Sequence, residues 1–277
     1  MSRPLWLVSL IKKSFGQRFA IARLSKKYTF MRRFIDWMLF EGDEIYYLPK
    51  DRVVVNHQLV VNQAIPLPQD VVAPSDVVRH FIDESSHRLI MNKCICREST
   101  PCKNFPADLG CIFMGEASLK IHPELGRQVS KEEARDHLAR ASELGLVQML
   151  GRNKIDTQWL GATPGDHLLT VCNCCACCCL YRVLPDLHQS ISRKITRMPG
   201  VSLRVDPEKC IGCGKCVRGC FVQAITLENG KAQISEACVG CASCAELCPV
   251  KAISLNIEDS AFMETTIRRL TAKIDVK

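Results

Sequence analysis

The pattern that most restricts this chain lies near its C-terminus. The run Cys210-Ile-Gly-Cys213-Gly-Lys-Cys216-Val-Arg-Gly-Cys220 spaces its cysteines as C-x2-C-x2-C-x3-C. Cys238-Val-Gly-Cys241-Ala-Ser-Cys244-Ala-Glu-Leu-Cys248 repeats it, each cysteine 28 residues after its counterpart. Four thiols in so short a loop are placed to close around one metal centre. Gly212, Gly214 and Gly240 let the backbone wrap tightly and aim N–H groups at the sulfurs. Residues 224–227 and 231–234 alternate like strands around Asn229-Gly230, a tight-hairpin signal, and residues 252–255 repeat the strand after the second run. Thiolates also bind zinc, so a pair of zinc knuckles is the competing reading of the cysteines alone.

Residues 204–257 resemble the bacterial-type dicluster ferredoxin domain. The resemblance implies two 4Fe–4S clusters that exchange electrons singly, the fourth cysteine of each run serving the other cluster. On that basis Cys210, Cys213, Cys216 and Cys248 hold one cluster, and Cys238, Cys241, Cys244 and Cys220 hold the second. One position departs from the family pattern: Phe221, not proline, follows Cys220, whereas Pro249 follows Cys248 as expected.

Ten further cysteines lie outside this segment. Cys94, Cys96, Cys102 and Cys111 are interspersed with Pro101, Pro106 and Gly110, which favours loops able to ligate metal. Cys172, Cys174, Cys175, Cys177, Cys178 and Cys179 crowd into eight residues. Successive side chains point in different directions, so these six cannot all serve one centre. All ten are candidate ligands of one or two additional iron–sulfur clusters; a structural zinc site over 94–111 is the alternative. The spacing 94/96/102/111 matches no zinc-finger pattern, and the C-x3-C-x2-C run of radical enzymes is absent. The tandem cysteines resemble the Cys-Cys motifs of heterodisulfide-reductase-type subunits, which bind noncubane clusters, although that family's full spacing is missing. Cys94-Ile-Cys96-Arg97 followed by Cys172-Asn-Cys174-Cys175-Ala-Cys177-Cys178-Cys179 also resembles the uncharacterised N-terminal part of some anaerobe ferredoxin-type proteins. Arg97 is a candidate partner for an anionic substrate or a reduced cluster, or a solvated surface residue. His122 and His167 are weaker ligand or proton-relay candidates.

Charge is unevenly placed. The net charge is +8 over 277 residues, yet no acidic residue precedes Asp36, while Arg3, Lys12, Lys13, Arg18, Arg23, Lys26, Lys27, Arg32 and Arg33 do. Residues 5–40 read as amphipathic helix, with Phe30, Met31, Phe34, Ile35, Met38 and Leu39 on one face. Such an arm suits a membrane surface or a partner protein. No nucleic-acid motif accompanies the charge, and nucleic acid is not expected as a partner. No run of 18 apolar residues offers a transmembrane helix. No dinucleotide or Walker A fingerprint is present, so nucleotide chemistry would fall to a partner.

Residues 44–61 hold β-like runs such as Arg52-Val53-Val54-Val55, and Ile65-Pro66-Leu67-Pro68 breaks regularity. A helix capped by Ser75 carries Val77, Val78, Phe81, Ile82, Leu89 and Ile90. Ser130 and Glu133 form a capping box for a helix ending near Gly145. Residues 146–150 and 155–160 then read as a hairpin. A closing helix places Met263, Ile267, Leu270 and Ile274 together.

The expected fold is α+β: a basic helical arm over 1–45, a mostly helical cysteine-rich domain over 46–200, a small ferredoxin-like domain with two 4Fe–4S clusters over 201–258, and a helix over 259–277. The expected function is single-electron transfer between the C-terminal clusters and those of the middle domain, with redox partner proteins. A reductase with a catalytic cluster is the alternative, and a redox-sensing regulator the third. No secretory leader is read, so cysteines at metal-ligand spacing point to a reducing cytoplasm, peripheral at the membrane, of an anaerobe.

Overall fold

The computed structural model describes residues 2–53, 74–258 and 261–277. The chain opens with three helices, α1 (Leu5–Ser14), α2 (Arg18–Lys27) and α3 (Thr29–Ile35). They bury Val8, Phe15, Ala22, Ile35 and Phe40 against the body of the protein. The expected stripe over 30–39 is split. Ile35 is buried and Met31, Met38 and Leu39 are half-buried, but Phe30 and Phe34 face outward. The cause is a change of winding: the α-helix ends at Ile35 and Asp36–Phe40 follow as a wider π turn, which shifts the angular register. Lys194 holds this turn, pairing with Asp36 and donating to the Phe40 carbonyl.

A seven-stranded sheet organises the middle of the chain. Its strands are β1 (Glu44–Tyr47), β2 (Arg88–Met91), β3 (Ile112–Met114), β4 (Gly126–Gln128), β5 (Val147–Arg152), β6 (Leu169–Cys174) and β7 (Ile195–Arg197), in the order β4-β2-β3-β6-β5-β1-β7. All neighbours are antiparallel except β1 and β7. The expectation of a mostly helical domain is thus replaced by a sheet with helices on it. Beyond the β-like residues of β1 and β5, the strands leave little period-two signal because they are short and mostly covered by neighbours. β2 is buried at all four positions and β5 at its first five, so neither alternates.

Two helices match their apolar spacing. α4 (Ser75–Glu84) buries Val77, Val78, Phe81 and Ile82, while Leu89 and Ile90 belong to β2. Ser75 does not cap α4; its own N–H is accepted by Asp51 at 2.9 Å, a partner from a distant part of the chain. α5 (Ile95–Ser99) is a single turn carrying Cys96 and Arg97. α6 (Lys131–Glu143) has the complete capping box and buries Ala134, Leu138 and Ala141. Gly145 then turns the chain at φ +80°.

Residues 146–160 are not a hairpin. β5 runs through Gly151 and Arg152, and Lys154–Leu160 forms a helix, α7. A Cβ on Gly151 would stand 2.1 Å from the Glu44 carbonyl oxygen, so this glycine serves the close approach of β1 rather than a turn. Of the β-like residues 44–61, β1 takes the first part and residues 51–53 are helical. Val54 onward, with Ile65-Pro66-Leu67-Pro68, lies outside the described residues.

A short helix, α8 (Gln189–Ser192), leads through β7 to the C-terminal unit. There β8 (Val201–Val205) pairs with β11 (Ile253–Ile257), and β9 (Ile225–Glu228) pairs with β10 (Lys231–Ile234). Asn229 and Gly230 take φ +49° and +75°, the left-handed pair a two-residue hairpin requires. Single-turn helices α9 (Lys215–Gly219) and α10 (Ser243–Leu247) follow the two cysteine loops. The last helix, α11 (Phe262–Thr271), buries Phe262, Thr266 and Leu270, with Met263 and Ile267 half-buried beside them. One hydrophobic core joins α4, α6 and the sheet to the interior of the C-terminal unit.

Candidate metal centres

The two C-terminal loops set their thiols among backbone donors. Cys210, Cys213 and Cys216 border a pocket whose far wall supplies Cys248. In the second set, Cys220, Cys238, Cys241 and Cys244 face one another. N–H groups point at four of the sulfurs: Ala232 at Cys210 (3.4 Å), Ala252 at Cys248 (3.2 Å), Ala224 at Cys220 (3.3 Å) and Gly240 at Cys238 (3.4 Å). Such donors favour sulfur in its ionised form. The N–H groups of Ala232 and Gly212 accordingly hold Cys210 below the usual thiol range. Burial works the other way at Cys238, pushed up to about 11, and also raises Cys244. A loop that buries thiols while aiming donors at them suits metal-held thiolates. Gly212, at φ +66°, lets the first loop pass close beneath the β9–β10 turn: a Cβ there would meet the Gly230 oxygen at 2.3 Å. The donor set therefore fits iron–sulfur clusters, which the eight cysteines of these loops could hold.

Residues 203–255 match the family model of the 4Fe-4S dicluster domain. This C-terminal segment is a ferredoxin-type dicluster domain. Over 33 residues the chain is 58% identical to Ferredoxin-2 of Desulfomicrobium norvegicum, a stretch amounting to 12% of this chain and 56% of that protein. No solved structure matches.

Outside the dicluster domain the structure divides the ten remaining cysteines in two. Cys102, Cys175, Cys177 and Cys178 have sulfurs all within 4.8 Å of one another, Cys102 and Cys177 at 3.4 Å. Four thiolates about 2.3 Å from a tetrahedral ion stand about 3.8 Å apart, so this set fits a single metal ion. The other six, Cys94, Cys96, Cys111, Cys172, Cys174 and Cys179, line a separate pocket, with Cys175 at its border. Within it Cys111 and Cys172 have sulfurs 3.2 Å apart, and Cys174 and Cys179 3.5 Å.

The partition follows from local geometry. Cys172 and Cys174 are two residues apart on β6 and share a face, while Asn173 points away. Their register partners on β5 are Met149 and Val147. The chain then turns over residues 175–178, which swings Cys175, Cys177 and Cys178 toward Cys102. Cys111 enters from the residue before β3, and Cys94 and Cys96 from α5. The grouping of Cys94, Cys96, Cys102 and Cys111 as one zinc set is not what the fold assembles: Cys102 joins the later run.

Arg97 is 1% exposed, not a surface residue. Its guanidinium donates to the carbonyls of Asn173 (2.8 Å) and Leu109. Burial lowers its pKa, but the facing Cys94, Cys175 and Cys111 more than offset this and leave it raised. Tyr47, fully buried on β1, sets its hydroxyl 3.8 Å from the Cys179 sulfur. Its ring meets Phe221 of the dicluster domain, with centroids 5.4 Å apart. Asp156 borders the pocket, and burial pushes its carboxyl up to about 7 against a hydrogen bond from Asn153. Tyr47 and Asp156 carry no sequence signal of this role. Phe221 did carry one, as the residue standing where the family pattern has proline. His122 and His167 border neither cysteine group.

Proposed function

We propose that this chain is an iron–sulfur electron-transfer protein in which the dicluster domain exchanges single electrons with a further metal–thiolate centre in the cysteine-rich domain. The observation that carries this reading is shared packing: Cys172, Cys174 and Cys179 lie in the same hydrophobic cluster as Cys220, Phe221, Cys238 and Cys241. The clusters supply one-electron chemistry. Cys210, Cys213, Cys216 and Cys248 would hold the first, and Cys238, Cys241, Cys244 and Cys220 the second. The protein's own residues exclude water between the two regions and fix their separation. Redox partner proteins supply and remove the electrons.

Iron and acid-labile sulfide counted after anaerobic purification test this. Two cubanes account for about eight irons per chain. A higher metal content, removed by substitution of middle cysteines, supports the reading. A value of about eight, with no other metal, sinks it. A reductase is the second reading, favoured by a six-cysteine pocket lined by the buried Arg97 and the half-buried Asp156.

The basic arm supports contact with an anionic membrane surface. Trp6, Phe30 and Trp37 are 69%, 76% and 61% exposed, and Phe34 stacks on Phe30 and meets Trp37 at a tilt. Aromatic rings beside lysine and arginine suit a lipid headgroup layer. Sedimentation with phosphatidylserine vesicles, lost in the Phe30→Ser, Trp37→Ser variant and absent with phosphatidylcholine alone, is the expected result. No difference between the two lipids would leave the arm to a protein partner.

A further inference from the structure

The structure assigns to the six-cysteine pocket an iron–sulfur centre of its own, held by thiolates drawn from Cys94, Cys96, Cys111, Cys172, Cys174 and Cys179 and separate from the single-ion site of Cys102, Cys175, Cys177 and Cys178. The proposal deepens the electron-transfer reading and rests on it. Three observations carry it. First, six thiols exceed what one tetrahedral ion can take, whereas a cluster with several irons can take thiolates at more than one iron. They converge from three elements, α5, the entry to β3 and β6 with the turn after it, so no local segment explains the gathering.

Second, the pocket contains a charge that needs an answer. Arg97 is buried, and no carboxylate pairs with it among the described residues. A guanidinium removed from water without an anion is strongly disfavoured. The groups facing it are Cys94 and Cys111 of the pocket and Cys175 of the single-ion site. Metal-held thiolates at both sites supply the missing negative charge, and Arg97 stands between them. Its Nε is buried with no hydrogen-bond partner, as is the Tyr181 hydroxyl on the pocket wall. Both donors are of the kind that cluster sulfur accepts from.

Third, the pocket is the middle site that touches the dicluster domain. Cys179 meets Tyr47, and Tyr47 meets Phe221, the neighbour of Cys220. The single-ion site packs instead against Leu109, Ala141 and Leu146, in a cluster holding no residue of the dicluster domain.

Two double variants test the assignment. In Cys111→Ser, Cys172→Ser, iron and acid-labile sulfide should fall together, while the low-temperature electron paramagnetic resonance of the dithionite-reduced dicluster domain is retained. In Cys102→Ser, Cys177→Ser, one metal ion should be lost with sulfide unchanged. Equal losses of the same metal in both variants would overturn the separation of the sites. Unchanged iron and sulfide in the first variant would overturn the centre, even if total metal above eight irons kept the electron-transfer reading alive. Should either variant fail to fold, the unmodified chain decides: sulfide above the roughly eight ions of two cubanes is expected. Sulfide at eight with extra metal ions refutes the pocket cluster alone. Eight irons with no other metal refutes both readings.

Discussion

Single residues carry the sharpest expectations. Asp43 accepts the Lys154 N–H at 2.7 Å through one oxygen, while its other oxygen is buried with no partner. Burial raises its carboxyl from 3.8 to about 7. Because the folded protein holds the proton more tightly than the unfolded chain, this group costs stability progressively as pH climbs from about 4 to about 7. Asp43→Asn keeps the acceptor and removes the ionisation. Its melting temperature should fall less than the parent's between pH 5 and 7; parallel curves would refute the assignment. Gly212→Ala combines an unfavourable φ with a clash against the Gly230 oxygen. It should weaken metal retention in the first loop, read as iron lost per chain. Unchanged iron would mean that the β9–β10 turn can move aside.

At the level of elements, what could be read from sequence depended on whether the signal was local. The capping box of α6 is local, two reciprocal hydrogen bonds at 3.1 Å between Ser130 and Glu133. Ser130→Ala should cost about 1 kcal/mol in urea unfolding, and no measurable change would mean that α6 does not feel its cap. The eight paired cysteines and the Asn229-Gly230 turn are local in the same sense. The sheet is not. β1, β2 and β3 are three or four residues long and gain identity only from partners far away in the chain, such as Ile45 opposite Gly151. The cap of α4 failed for the same reason, since its acceptor, Asp51, lies 24 residues earlier. For the middle cysteines, it could be anticipated that the crowded run serves more than one centre, because successive side chains point in different directions. The crossing of Cys102 to that run could not, because the loop bringing it there has no periodic pattern.

At the scale of the molecule, the dicluster domain is built into the body and not tethered to it. Its interior shares a core with α4, α6 and the sheet. Phe221 packs against Tyr47 with tilted rings, Lys50 pairs with Glu246 at 2.6 Å, and the Lys50 N–H reaches the Cys241 carbonyl at 3.3 Å. Chemical unfolding should therefore bleach cluster absorbance and shift tryptophan fluorescence in one coincident transition. Two separated transitions would show that the units are independent. The Tyr47–Phe221 contact has a kinetic consequence as well. Small carrier proteins must collide with their acceptors, and salt screens the charges that steer such encounters. In the proposed transfer the search is already over when the chain has folded. Electrons passing as proposed would cross this aromatic pair in a first-order step, indifferent to dilution and to ionic strength, leaving only the step that loads the protein from outside open to competition.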